Sequence, residues 1–75
     1  MTIEARELYC YCIGTHGQRF SKEAIDYGEF WVRGIVRGCA AQYVYDFCTK
    51  GTSISDIWSD DDIVEVVGQI IAERR

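Results

Sequence analysis

The stretch from Lys22 to Lys50 restricts the fold more than any other part of the chain, because apolar residues recur at helical spacing on two of its sides. Advancing about 100° per residue from Ile25, one side collects Ile25, Gly28, Val32, Ile35, Val36, Cys39, Tyr43 and Phe47. The other collects Tyr27, Phe30, Gly34, Gly38, Ala41, Tyr45 and Cys48, with Asp26, Arg33 and Arg37 as a charged stripe between them. A helix with one apolar face is satisfied by one neighbour, whereas a helix with two needs two neighbours or a partner protein. No proline interrupts the chain, so one long central helix is predicted over about 22–50.

Two entry signals of the same kind define the helices. Phe20 and Ile25 flank an N-cap at Ser21, and Trp58 and Ile63 flank an N-cap at Ser59. Each set fits a hydrophobic staple, in which the residue before the cap packs on the fourth helical residue. Lys50 and Gly51 supply a cation and a terminating glycine for the central helix. Ser53-Ile54-Ser55-Asp56 carries a capping-box pattern, which predicts a short helical turn over 53–58. The last helix, from Asp60 to about Arg74, places Ile63, Val66, Val67, Ile70 and Ile71 on one stripe.

Residues 3–12 are the ambiguous segment. Ile3, Leu8, Tyr11 and Cys12 roughly share a helical face with Thr2 as N-cap, yet the aromatic-rich run from Leu8 to Ile13 also suits a strand. No second strand exists to pair with it, so helix is expected, ending at Gly14-Thr15-His16-Gly17. The predicted fold is all-α: a single helical domain over 1–75, built as a small three-helix bundle around the central helix. The glycine-lined side, with Gly34-x-x-x-Gly38 at its centre, permits close approach of another backbone. It is expected to receive either a helix of the same chain, a partner helix or a second copy in a homodimer.

Charge narrows the choice of partner. Acids and bases balance from Met1 to Gly51, so the net charge of −4 arises between Thr52 and Arg75. Direct nucleic-acid binding is not expected from such a surface, because it rests on clustered Lys and Arg. Charges stand where a signal peptide would be apolar, and no apolar run approaches the ~20 residues that span a bilayer. A cytoplasmic protein is the expectation, with no membrane partner.

Residues with chemical potential are few. Cys10, Cys12 and His16, with Cys39 and Cys48 elsewhere, raise a zinc- or redox-dependent module as the alternative function. In a helix, however, residues two apart diverge, and neither cysteine pair has the usual zinc-ligand spacing. The expectation is free core thiols, with no metal and no cofactor. Asp60-Asp61-Asp62 lacks the alternating ligands and glycine of a calcium loop. No nucleophile is tied to His16, the single histidine, by a recognisable motif, so an enzyme is not expected.

What remains is a binding surface. The aromatic residues, five tyrosines, three phenylalanines and two tryptophans, exceed what so small a core readily hides. Tyrosine, tryptophan and arginine are also the types enriched at interface centres. In size, acidity and lack of catalytic residues the chain is similar to the small inhibitors that phages and mobile elements encode, anti-CRISPR and anti-restriction proteins among them. That similarity implies a non-enzymatic protein-interaction module blocking a basic surface of a partner protein or complex. The contacts expected are an acidic patch of Asp56, Asp60, Asp61, Asp62 and Glu65, and a second set from Arg33, Arg37, Tyr27 and Tyr45.

Overall fold

A computed structural model describes residues Met1–Arg75 and contains only helices and turns. Helix α1 spans Ile3–His16, α2 Lys22–Tyr27, α3 Glu29–Phe47 and α4 Asp60–Arg74, with single 3₁₀ turns at Gly17–Arg19 and Ile54–Asp56. The all-α class and the bundle arrangement are as the sequence predicts. None of the helices is long and apolar enough to cross a membrane.

The capping residues explain where the helices begin. Thr2 Oγ1 accepts the Ala5 amide at 3.0 Å, Ser21 Oγ accepts Ala24 at 3.2 Å, and Ser59 Oγ accepts Asp62 at 3.2 Å. Each cap satisfies a backbone donor that the first helical turn leaves open. The staple residues Phe20, Ile25, Trp58 and Ile63 are all buried. Residues 3–12 are helical, and the helix runs on through Gly14 to His16 before the 3₁₀ turn closes it.

The central segment differs from expectation at one residue. Instead of one helix over 22–50, α2 ends and α3 begins at Gly28, which adopts φ +112° and ψ 175°. Its amide donates to the Ile25 carbonyl at 3.1 Å, and its carbonyl accepts the Val32 amide at 3.2 Å. One glycine thus terminates a helix and opens the next, in a backbone region open to essentially no other residue. At the far end α3 stops at Phe47, and Gly51, at φ +97°, forms the turn that follows.

One face of α3 forms the core. Val32, Val36, Cys39 and Ala40 are buried against Ile63, Val66, Val67 and Ile70 of α4 and Ala5, Leu8 and Cys12 of α1. Trp58 closes the bottom of this core. Its ring packs edge-on to Tyr43 at 5.2 Å, and its indole N–H donates to the Glu4 carbonyl at 2.7 Å. Phe47, predicted for the core side, lies exposed at its edge, with its ring 5.1 Å from Tyr43.

Polar ties hold α1 to α4 at both ends. Thr2 donates to Asp62 Oδ1 at 2.9 Å. Near the other end the Tyr9 hydroxyl donates to Glu73 Oε1. That hydrogen bond holds the Tyr9 hydroxyl above the usual tyrosine range and the Glu73 carboxyl below the usual carboxylate range. Because α1 packs on the core side of α3 beside α4, nothing in the chain covers the glycine-lined side. A Cβ placed on Gly34 or Gly38 would meet no atom within 4 Å.

Candidate protein-binding face

The uncovered side of α3 is apolar and aromatic. Tyr27, Phe30, Trp31 and Tyr45 are 72, 82, 55 and 85% exposed, with the exposed Gly34, Gly38 and Ala41 between them. They stand there because Val32, Val36, Cys39 and Ala40 take the opposite side of the same helix into the core. An aromatic side chain offers roughly 150–250 Å², so at these exposures the four rings present about 600 Å² of apolar surface. That is the upper end of what a monomeric protein usually shows in one patch.

The rings are organised into a protrusion at one end of the face. Tyr27, on α2, packs against Trp31 across the Gly28 joint with centroids 4.9 Å apart. The Arg33 guanidinium lies 5.5 Å from the Phe30 ring centroid and 3.7 Å from the Glu29 carboxylate. Arg37 reaches the first residue of α4, with its nitrogen 3.8 Å from Asp60 Oδ1. Arg33 and Arg37 therefore edge the face and are each balanced by an acid.

At the opposite end the face opens into a cavity of about 660 Å³, lined by Ala41, Val44, Tyr45, Cys48, Ile54 and Lys50 among others. It is a half-open depression of the surface and not an enclosed chamber. Lys50 makes no ion pair within the chain. The face is thus bulky at one end, flat in the middle and hollow at the other.

The acidic residues expected to form one patch are divided by their structural duties. Asp62 is 9% exposed; its Oδ2 accepts the Ser59 amide at 3.1 Å and its Oδ1 the Thr2 hydroxyl. Asp56 accepts the Ser53 amide at 2.8 Å, capping the 3₁₀ turn. Glu65 lies 3.6 Å from the Met1 amino group, and Asp60 is paired with Arg37. Asp61 is exposed and engaged in none of these contacts.

The cysteines and the histidine do not assemble. Helix α1 turns Cys12 into the core and leaves Cys10 exposed. His16 Nε2 lies 3.4 Å from the Tyr11 hydroxyl, with the two rings edge-on at 5.3 Å. No three His, Cys, Asp or Glu side chains come together as a set of metal ligands. Cys12 and Cys39 are both buried in the core that α1 and α3 share, and the neighbouring Cys39 together with burial pushes the Cys12 thiol above the ordinary range. Such a thiol is an unreactive packing residue.

Phe30 and Trp31 belong to the face although sequence reasoning did not single out Trp31 for it. The signal was present: Trp31, Gly34, Gly38, Ala41, Tyr45 and Cys48 follow one another in alternating steps of three and four residues. Compared with known proteins, the chain matches no family model, no curated protein and no solved structure.

Proposed function

We propose that this protein is a non-enzymatic protein-interaction module that works by docking the aromatic side of α3 onto another polypeptide. The observation that carries this reading is the continuous, uncovered face formed by Tyr27, Phe30, Trp31 and Tyr45 around Gly34 and Gly38. Exposing four such rings costs hydration free energy that burial in an interface returns, and aromatic residues beside arginine are the usual energetic centre of interfaces. Arg33 and Arg37 edge the face and add polar rim contacts.

The acidic start of α4 supplies the charge complement. Asp60, paired with Arg37, and the exposed, unpaired Asp61 stand at this start in a chain of net charge −4, which favours a basic partner surface and speeds encounter with it. Blocking such a surface, in the manner of the small inhibitors that phages and mobile elements encode, is the specific action proposed.

Affinity capture from the native host with immobilised protein tests the reading. Trp31→Ala combined with Tyr45→Ala is expected to lose the bound protein while the unfolding midpoint stays unchanged, since neither ring contributes to the core. Asp60→Lys combined with Asp61→Lys is expected to weaken capture in a salt-dependent way. Retention unchanged by the aromatic pair would show that binding occurs elsewhere.

A further inference from the structure

The aromatic face is self-complementary, and this identifies an occupant. Alternating three- and four-residue steps from Trp31 to Cys48 are the spacing of a coiled-coil seam, which recognises another helix lying nearly along it. The seam has rings at Trp31 and Tyr45, small residues at Gly34, Gly38 and Ala41, and a hollow at Cys48. In a parallel pair, like residues meet: ring opposes ring, and Lys50 opposes Lys50. In an antiparallel pair with its two-fold axis between Gly38 and Ala41, Tyr45 meets Gly34 of the second copy. Gly38 then meets Ala41, and Trp31 meets Cys48 at the cavity wall.

Charge follows the same arrangement. The cavity end carries the unpaired Lys50, while the protruding end carries the unpaired Asp26 and also Glu29, which is paired with Arg33 of its own chain. Antiparallel pairing brings each lysine to the acidic end of the other copy and moves the two Arg37 side chains off the axis. The area is adequate as well. The four rings offer about 600 Å², and the small residues between them bring the face near the ~800 Å² per partner of a standard interface.

We propose that two copies of this chain pair antiparallel through this face of α3, the Tyr27–Trp31 protrusion of each filling the cavity beside Tyr45 and Lys50 of the other. The pairing is isologous, so it closes as a dimer and does not propagate. It rests on the reading that the aromatic face binds protein, and it leaves Asp60 and Asp61 on the outside of the pair.

Sedimentation velocity of the purified protein over a range of concentrations tests the proposal. The wild-type chain is expected to dimerise, and Trp31→Ala to weaken the dimer about tenfold or more. Gly38→Leu is the second variant, because a Cβ at this exposed position meets nothing within 4 Å in the monomer and a leucine there obstructs the axis of the pair. It is expected to abolish the dimer without lowering the unfolding midpoint of the monomer. Lys50→Glu is expected to weaken the dimer, and adding Asp26→Lys and Glu29→Lys to restore it. A dimer indifferent to Trp31→Ala and Gly38→Leu overturns the proposal. So does a chain that stays monomeric throughout. In that second case host capture separates the two ideas: capture lost in Trp31→Ala keeps the face as a binding site for a different protein, and capture unchanged removes both.

Discussion

Gly28 and Asp62 show how much a single residue decides in this chain. The backbone of Gly28, at φ +112° and ψ 175°, lies where a Cβ is strongly disfavoured, although nothing else stands near it. Gly28→Ala is therefore expected to destabilise the protein by about 1–3 kcal/mol through strain alone, measured as a lowered urea midpoint. Gly34→Ala, in regular helix with open space around it, is expected to do the reverse and stabilise the monomer by roughly 0.5–1 kcal/mol. Asp62 and Asp61 are neighbours with opposite expectations. Asp62→Ala strands the Ser59 amide and the Thr2 hydroxyl and should cost about 1–3 kcal/mol, whereas Asp61→Ala should leave stability nearly unchanged. The two decisive residues differ in how far they can be read in advance. The Ser59-x-x-Asp62 spacing is a capping-box pattern that sequence alone contains. The break at Gly28 is not, because Gly34 and Gly38 in the same stretch are ordinary helical glycines and nothing local distinguishes the three.

Among the elements, the helix starts were the most readable part, since a serine or threonine cap and its staple act over a few residues. The docking of α1 was the least readable. Its apolar residues are compatible with several faces, and its position is chosen by distant contacts: Trp58 to the Glu4 carbonyl, Thr2 to Asp62 and Tyr9 to Glu73. The last of these ties makes a pH-dependent prediction. The Glu73 carboxyl is held below its ordinary value, so its contribution is present above the unfolded carboxylate value of about 4.3 and is lost as pH falls through the folded value. The Tyr9 hydroxyl is held above its ordinary value, so its contribution is complete below about pH 10 and is lost as pH rises through the folded value. Urea midpoints of the wild type and Tyr9→Phe should therefore differ near neutrality and converge toward both extremes. A difference that persists well below about pH 4 would show that the Glu73 contact is not its source.

For the whole molecule, the decisive property is that α3 has two apolar sides and the chain covers one. The sequence pattern exposed this duality, and the residues on the open side apart from Trp31, but not which side the first helix would choose. Only packing decides that, because Ala5, Leu8 and Cys12 fill the space that Val36, Cys39 and α4 leave. The open side concentrates the expected functional effects where stability is indifferent. Trp31→Ala and Tyr45→Ala should alter association while the thermal unfolding of the monomer is unaffected. Phe20→Ala should do the opposite, costing about 3–5 kcal/mol as a core cavity.

The two tryptophans sit on the two sides of this division. Trp58 is 2% exposed in the core and Trp31 is 55% exposed on the open face, so the chain carries a pair of fluorophores in contrasting solvents. Trp58 should emit at short wavelength and resist acrylamide quenching until the protein unfolds. Trp31 should emit at long wavelength and quench freely until something covers it. Covering the open face should thus shift and protect the Trp31 emission alone, and this change can be followed in the unlabelled protein, with Trp31→Phe as the blank.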